Sequence, residues 1–326
     1  MHNQVKENNN ISEFSKTGWG IFWAAVSVLC WATLFPAVSF ILCRKNIDCY
    51  SMAMTRFIVS GLIMLIIIGV FQKKLPVANI KFNDWIALVL QSVFAGSMSV
   101  LLFYGQSLGI PIVNASLLES EAPLLIFILS IFILGCKVSF LQIIGLLTGF
   151  LGSMLVLKVI SFKGVMITSF SIGDLMVLLA ALCWALYTVL ANPVIKRLGG
   201  FIYTAWSLLF AGLGIFIFQL VVNLSVNLPN NLVDALILMY LAIVPTALAF
   251  FAWNNAQKYI VPGLLAISGY FTPMLTSLLG WMFFNQIVNA GQFFGMILVI
   301  ASAIIEPEIC NFVQEYFKKK FLSKKA

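Results

Sequence analysis

Ile110-Pro-Ile-Val-Asn114-Ala-Ser-Leu-Leu-Glu119-Ser-Glu121-Ala-Pro123-Leu-Leu-Ile-Phe-Ile-Leu-Ser-Ile-Phe-Ile-Leu134 is an apolar run whose only charged residues are two acids. A run of this length reads as a membrane-spanning helix. Carboxylates inside such a helix are expensive and face protein or water rather than lipid. At roughly 1.5 Å per residue they lie ~10–15 Å in from the start. Two residues apart on a helix is about 200°, so the pair does not share a face. The expectation is that one faces a central cavity and the other packs against a neighbouring helix. The alternative is that both are structural, hydrogen-bonded between helices. Glu119 shares its face with Ser116 and Pro123, and Glu121 with Leu117, Leu118 and Leu125. On that ground Glu119 is expected to face the cavity and to bind a proton or a substrate amine.

The rest of the chain puts this run in context. Of 326 residues, 62% are hydrophobic and 9% charged, with mean hydropathy +1.05. That composition excludes an ordinary soluble domain and indicates an all-α polytopic membrane protein. The formal charge of +8 does not point to nucleic acid, because the basic residues fall between apolar runs and at the C-terminus. The first apolar run is long and follows a polar, Asn-rich tail, so it reads as a retained span rather than a cleaved signal. The six cysteines match no metal-site spacing, and Cys43 and Cys49 flank a loop where pairing requires an oxidising compartment. The only histidine is His2. With no catalytic triad, metal cluster or phosphate loop, the reading is a protein that is not an enzyme and needs no cofactor.

Ten apolar runs follow one another: 18–42, 50–71, 85–108, 110–134, 140–157, 173–195, 201–222, 232–253, 262–284 and 287–305. If the N-terminus is cytoplasmic, the inside segments carry 14 of the 19 Lys and Arg and the outside loops 4. The bias places both termini in the cytoplasm. The second half also repeats the first. Leu29-Cys-Trp31-Ala returns as Leu182-Cys-Trp184-Ala, an offset of 153. Pro123 returns as Pro273, and Gln142-x-x-Gly145 as Gln292-x-x-Gly295, both at 150. Five spans per half is an odd number, so the halves insert with opposite orientation, an arrangement found in secondary transporters. The expected organisation is a polar cytoplasmic tail (1–17), a first five-helix repeat (18–157), a connecting loop (158–172), a second repeat (173–305) and a basic cytoplasmic tail (306–326).

The stretch Trp31-Ala-Thr-Leu-Phe-Pro36, its echo Trp184-Ala-Leu-Tyr187, Arg56-Phe57, the two prolines and the two Gln-x-x-Gly openings occur in one order. That ordered set resembles the drug/metabolite transporter superfamily, specifically the ten-span EamA-type permeases. The resemblance implies an alternating-access permease in a bacterial inner membrane. It would export amino acids, related metabolites or a drug-like compound. Uptake of a nucleotide sugar, phosphate ester or S-adenosylmethionine on the same broad fold is an alternative, although a strongly anionic substrate should need several intramembrane cations. A transport-inactive scaffold or sensor is another. The expected partners are a small-molecule substrate, the lipid bilayer and, as coupling ion, protons; the protein would be a monomer or homodimer.

Candidate site residues come from aromatic and polar side chains inside the runs. Trp31 and Trp184 lie midway along their spans, away from the interfaces that tryptophan prefers, and are expected to line the cavity from opposite halves. Arg56 is read either as snorkelling from near the outer end of its span or as a cationic partner for Glu119 or a substrate carboxylate. Tyr104, Asn114, Tyr187, Trp253 and Asn254 supply further aromatic and polar groups. Tyr270 matches Ser120 at offset 150, opposite the glutamates. Pro36, Pro123, Pro245 and Pro273 are expected to bend their helices. Gly145-x-x-x-Gly149 and Gly291-x-x-x-Gly295 read as packing sites joining the halves. The C-terminal tail reads either as a short interfacial helix on an anionic leaflet or as a disordered segment.

Overall fold

The computed structural model describes residues 2–44, 46–72, 80–109, 118–119, 121–137, 139–156, 160–161, 164–165, 171–284 and 289–305. Asn114, most of the connecting loop and the C-terminal tail lie outside these residues. Described helices are α1 (His2–Ala32), α2 (Leu34–Arg44), α3 (Cys49–Gln72), α4 (Phe82–Ser107), α5 (Ala122–Leu134) and α6 (Phe140–Val156). A small hairpin, Ile160–Ser161 against Gly164–Val165, precedes the second set. That set is α7 (Ile172–Leu198), α8 (Gly200–Val221), α9 (Leu232–Ala242), a π-helical stretch (Ile243–Leu248), α10 (Ala249–Ala256), α11 (Pro262–Ser268), α12 (Phe271–Phe284) and α13 (Ala290–Ile305). Among the described residues, six helical stretches are long and apolar enough to cross a membrane, and four shorter apolar helices accompany them. The architecture is that of a polytopic membrane protein. Leu29, Ile66, Phe71, Phe132 and Phe293 are exposed, as expected of side chains that meet lipid. The polar tail enters α1, which runs without a break from His2; residues 2–17 contain neither Gly nor Pro to stop it.

Local chemistry sets many of the helix ends. Ser171 and Asp174 form a capping box at α7: the Ser171 hydroxyl accepts from the Asp174 N–H, and the Ser171 N–H donates to the Asp174 carboxylate. Gln142 and Gln292 do the same work. The N–H groups of Ser139 and Asn289 donate to their carbonyl oxygens at 3.0 and 3.1 Å, while their own N–H groups donate back. The repeated Gln is therefore a helix-start device. At the end of α5, Gly135 adopts φ +65°. Cys136 N–H then bonds Ser130 O, and Gly135 N–H bonds Ile131 O.

The halves interleave reciprocally. α1 packs on α10, and α7 on α4; α5 packs on α7, and α12 on α1; α3 meets α8, α6 meets α13 and α5 meets α11. Each of these cross-half contacts keeps its form when the halves are exchanged. A Cβ on Gly295 would lie 2.6 Å from Gly152 O, and one on Gly145 3.0 Å from Ser302 O. Gly152 and Ser302 are themselves 150 residues apart. Likewise a Cβ on Gly61 would strike the Leu209 backbone, and one on Gly212 the Ile58 backbone. Gly149 instead faces the Tyr270 ring and the Ser302 hydroxyl.

Several expectations are revised here. The run 110–134 is not one described helix: α5 begins at Ala122, Glu121 is its cap residue, and Pro123 sits in the first turn. A proline there costs no helix bond, so Pro123 starts a helix rather than bending one. The run 262–284 divides at Gly269–Tyr270 between α11 and α12, with Pro273 third in α12. Pro36 is third in α2, just past the break at Thr33. Pro245 sits inside the π-helical stretch. Cys49 is a buried free thiol.

Candidate functional site

Trp31 of α1, Trp184 of α7 and Trp253 of α10 meet in one cluster. Their ring centroids are 5.1 Å (Trp31–Trp184), 5.2 Å (Trp31–Trp253) and 5.4 Å (Trp184–Trp253) apart. Phe250 closes the group from one turn before Trp253, and Tyr187 stacks on Trp184 at 5.4 Å. The edge-to-face contacts suit the aromatic quadrupole. Trp31 Nε1 donates to Pro245 O at 3.1 Å, and Trp253 Nε1 to Thr188 Oγ1 at 3.2 Å. Tyr187 and Asn254 are fully buried, and Asn254 Nδ2 donates to Tyr187 OH (2.8 Å) and Thr204 Oγ1 (3.0 Å). These two sequence candidates therefore form a paired polar network behind the tryptophans, one that holds the cluster's shape.

From Phe250 the aromatic contact continues to Phe57, 5.7 Å away, and thence to Arg56. Arg56 is 1% exposed, so it does not snorkel. Its guanidinium lies 5.0 Å from the Phe57 ring centroid and 5.1 Å from that of Phe103, a cation–π sandwich. Among the described residues its Nε and Nη1 have no hydrogen-bond partner. Glu119, half-buried, is the acid whose charge acts on it. A buried cation with open donors, beside a carboxylate and an aromatic wall, can hold an anionic or zwitterionic group.

Helix breaks border this cluster and expose backbone carbonyls. Proline at 245 removes the N–H that would have served Leu241 O, and the Thr246 hydroxyl serves it instead at 2.6 Å. Ser60 Oγ donates to Ala242 O at 2.6 Å and also to Arg56 O. Proline at 36 frees Ala32 O in the same way, and Thr276 Oγ1 of α12 donates to it at 3.2 Å. π-Helical stretches of this kind recur at functional sites.

The second acid lies elsewhere. Glu121, at the start of α5, faces the Tyr270 phenol electrostatically. The phenol is buried without a hydrogen-bond partner among the described residues. Pro123 is pressed against Gly269, where a Cβ would lie 3.2 Å from Pro123 Cγ. Two helix starts thus abut, one from each half. Tyr104 joins neither cluster; it lies 6.1 Å from Tyr50.

Some residues escaped the sequence reading. Phe57, Phe103 and Phe250 carry the aromatic path, but nothing distinguishes them within a chain of 29 phenylalanines. Two ion pairs also join the halves. Arg197 Nε and Nη2 donate to Asp84 Oδ1 at 3.0 and 2.5 Å, and Arg44 Nε lies 2.7 Å from Asp234 Oδ1. Asp84 and Asp234 are 150 apart and Arg44 and Arg197 153 apart, the offsets already seen for the prolines and tryptophans. Extending the repeat comparison to charged residues finds them.

A helical membrane bundle with a buried aromatic and charged centre between two halves is an arrangement that suits a membrane transport protein. The chain matches the EamA-like transporter family over residues 18–158 and again over 171–305, and it belongs to that family. It is 25% identical over 276 residues to the uncharacterized transporter YyaM of Bacillus subtilis, covering 83% of this chain and 90% of that one. It is 25% identical over 268 residues to protein PecM of Dickeya dadantii, covering 80% and 83% respectively. A solved structure described as "Crystal structure of protein" shares the fold with a TM-score of 0.72 at 20% identity, over 92% of this chain and 98% of that one. Within the drug/metabolite transporter superfamily, this is a multi-pass transporter of the EamA family.

Proposed function

We propose that the protein is a secondary transporter exporting a small organic solute, an amino acid, related metabolite or drug-like compound, across a bacterial inner membrane. The observation that carries this reading is Arg56: a fully buried cation with open donors, linked through Phe57 and Phe250 to the tryptophan cluster between the halves. Arg56 would receive an acidic group of the solute, Glu119 an amine or a proton, and the Trp31–Trp184 wall its apolar part. The two halves would act as inverted five-span repeats with both termini cytoplasmic, rocking to expose the site to each side in turn.

Flux in liposomes under an imposed pH gradient tests the reading, with a panel of labelled amino acids and amphipathic metabolites. Glu119→Gln should abolish pH-driven flux, while Glu121→Gln should retain most of it. The reverse result would move the coupling site to Glu121. Full flux in both variants would replace proton coupling by passive facilitation.

A further inference from the structure

We propose that the ion pairs Arg44–Asp234 and Arg197–Asp84 are the two gates of the transport cycle, one at each end of the molecule, each breaking when the centre opens toward its own end. The proposal rests on the alternating-access reading above and goes beyond it by assigning the residues that hold each end shut.

The two pairs are placed alike, although Arg197 hydrogen-bonds Asp84 twice whereas Asp234 Oδ1, facing Arg44, has no hydrogen-bond partner among the described residues. Each arginine lies in the last turn of its helix, Arg44 in α2 and Arg197 in α7. Each aspartate lies in the first turn of its partner, Asp234 in α9 and Asp84 in α4. Opposite charges at these termini suit both helix dipoles. Each pair crosses from one half to the other, and exchanging the halves turns one pair into the other. Both aspartates are buried, at 0% and 6% side-chain exposure, while their arginines are 38% and 53% exposed. The buried carboxylate depends on its partner, whereas a released arginine turns into water. That asymmetry suits a contact that must open and close.

The pairs lie at opposite ends. Tyr203, early in α8, bonds Gln91, early in α4 and near Asp84. Gln219, at the other end of α8, bonds Ser51, early in α3 and five residues after Asn46, which bonds Asp234. Tyr203 and Gln219 are 16 residues apart on α8, so these two anchor points lie about 24 Å apart at ~1.5 Å per residue. The tryptophan cluster is built from α1, α7 and α10, so three of the four tied helices, α2, α7 and α9, carry the central site or continue into a helix that does, and the fourth, α4, packs on α7.

The surrounding polar groups differ. Asp234 Oδ2 also accepts from Asn46 and Asn231 at 2.7 and 2.6 Å. Among the described residues Asp84 has only the arginine as a side-chain donor, and Arg197 Nη1 donates back to Pro193 O. The Asp84 gate therefore loses more of its side-chain bonding when its arginine leaves, and should be the more sensitive to substitution.

The test uses full-length protein in lipid nanodiscs on a Cys-free background, with spin-label pairs at exposed positions. Phe82 and Lys196 report the Asp84 end, Phe40 and Leu232 the Asp234 end. In wild type, two distance populations at each end, anticorrelated between ends, are expected. Asp84→Asn should raise the open-to-closed ratio at the Asp84 end about tenfold or more and keep the Asp234 end closed. Asp234→Asn should do the opposite, by a smaller factor. The charge swap Asp84→Arg with Arg197→Asp should bring the ratio partway back from the Asp84→Asn value, short of wild type because each charge then opposes its helix dipole, whereas a merely packing role would give no recovery. If either Asn variant folds poorly, Arg197→Gln and Arg44→Gln make the same comparison from the exposed partner. Two populations in wild type that neither variant shifts would overturn the gates and leave alternating access standing. One narrow, invariant population at both ends in every variant would overturn alternating access and the gates with it.

Discussion

Two contacts between the halves are built in opposite ways. α6 and α13 meet backbone to backbone: Gly295 has no room for a Cβ beside Gly152 O, and Gln292 reaches across to Val156 O at 3.0 Å. α1 and α2 meet the second half through side chains. Thr276 donates to Ala32 O, Trp31 to Pro245 O and Tyr240 to Thr33 Oγ1. Backbone contact at van der Waals distance has one geometry and resists change, because packed interiors are not compressible. Side-chain hydrogen bonds lengthen, rotate and exchange for water. The first contact can serve as the fixed axis and the second as the moving face.

The sharpest way to break the comparison is to fill the fixed contact. Gly295→Val places a Cβ 2.6 Å from a carbonyl oxygen, with backbone on both sides and no flexible side chain to yield. Overpacking costs about 1–3 kcal/mol and more where backbone must shift. The expected outcome is the largest fall in melting temperature of the variants in this series, with loss of monodisperse protein in detergent. A variant as stable as wild type would mean that α6 and α13 separate freely, and the fixed-axis reading would fail.

Next comes the π-helical stretch, which lies beside the moving face but is repaired from within. Thr246→Val keeps shape and removes the hydroxyl that satisfies Leu241 O at 2.6 Å. A buried carbonyl left unsatisfied costs about 1–3 kcal/mol. The melting temperature should fall by less than for Gly295→Val. Because the repair is local, turnover at saturating solute in liposomes should stay close to wild type per folded molecule.

How much of this was legible beforehand depends on what kind of signal each residue carries. Trp31 and Trp184 stood out because an identical tetrapeptide recurs, and they meet at 5.1 Å. Gln142 and Gln292 stood out by position, but their work as capping partners needs the loop geometry of Ser139 and Asn289. The helical-face argument for Glu119 and Glu121 depended on a continuous helix through Pro123. Proline favours the first turn as strongly as it disfavours the interior, and an apolar pattern alone does not distinguish the two. Arg56 was open because burial of one cation depends on which aromatics arrive from other helices; Phe57 is its neighbour in sequence, but Phe103 is not. The gate aspartates look like ordinary first-turn acids until the two halves are laid against each other.

The smallest structural effect is expected where the functional one should be clearest. Thr276 Oγ1 bonds Ala32 O across the halves at 3.2 Å, in a partly buried position. The donor comes from α12 and the acceptor from the end of α1, so the bond survives only while those helices keep their present spacing. A long, part-buried hydrogen bond contributes about 0.5–1.5 kcal/mol net, and water can replace it where the site is wet. Thr276→Val should therefore shift the melting temperature less than Thr246→Val. On the rocking motion proposed above, this bond would break and re-form in each cycle, whereas the Thr246 bond would persist throughout. Removing it should change the maximal transport rate, by about threefold to tenfold on the basis of that bond energy, with little change in the solute concentration for half-maximal flux. Paired melting curves and liposome flux on the two threonine variants check this. If Thr276→Val instead loses as much stability as Thr246→Val and transports normally, the break at Thr33 is as static as the π-helical stretch, and the moving face must lie elsewhere.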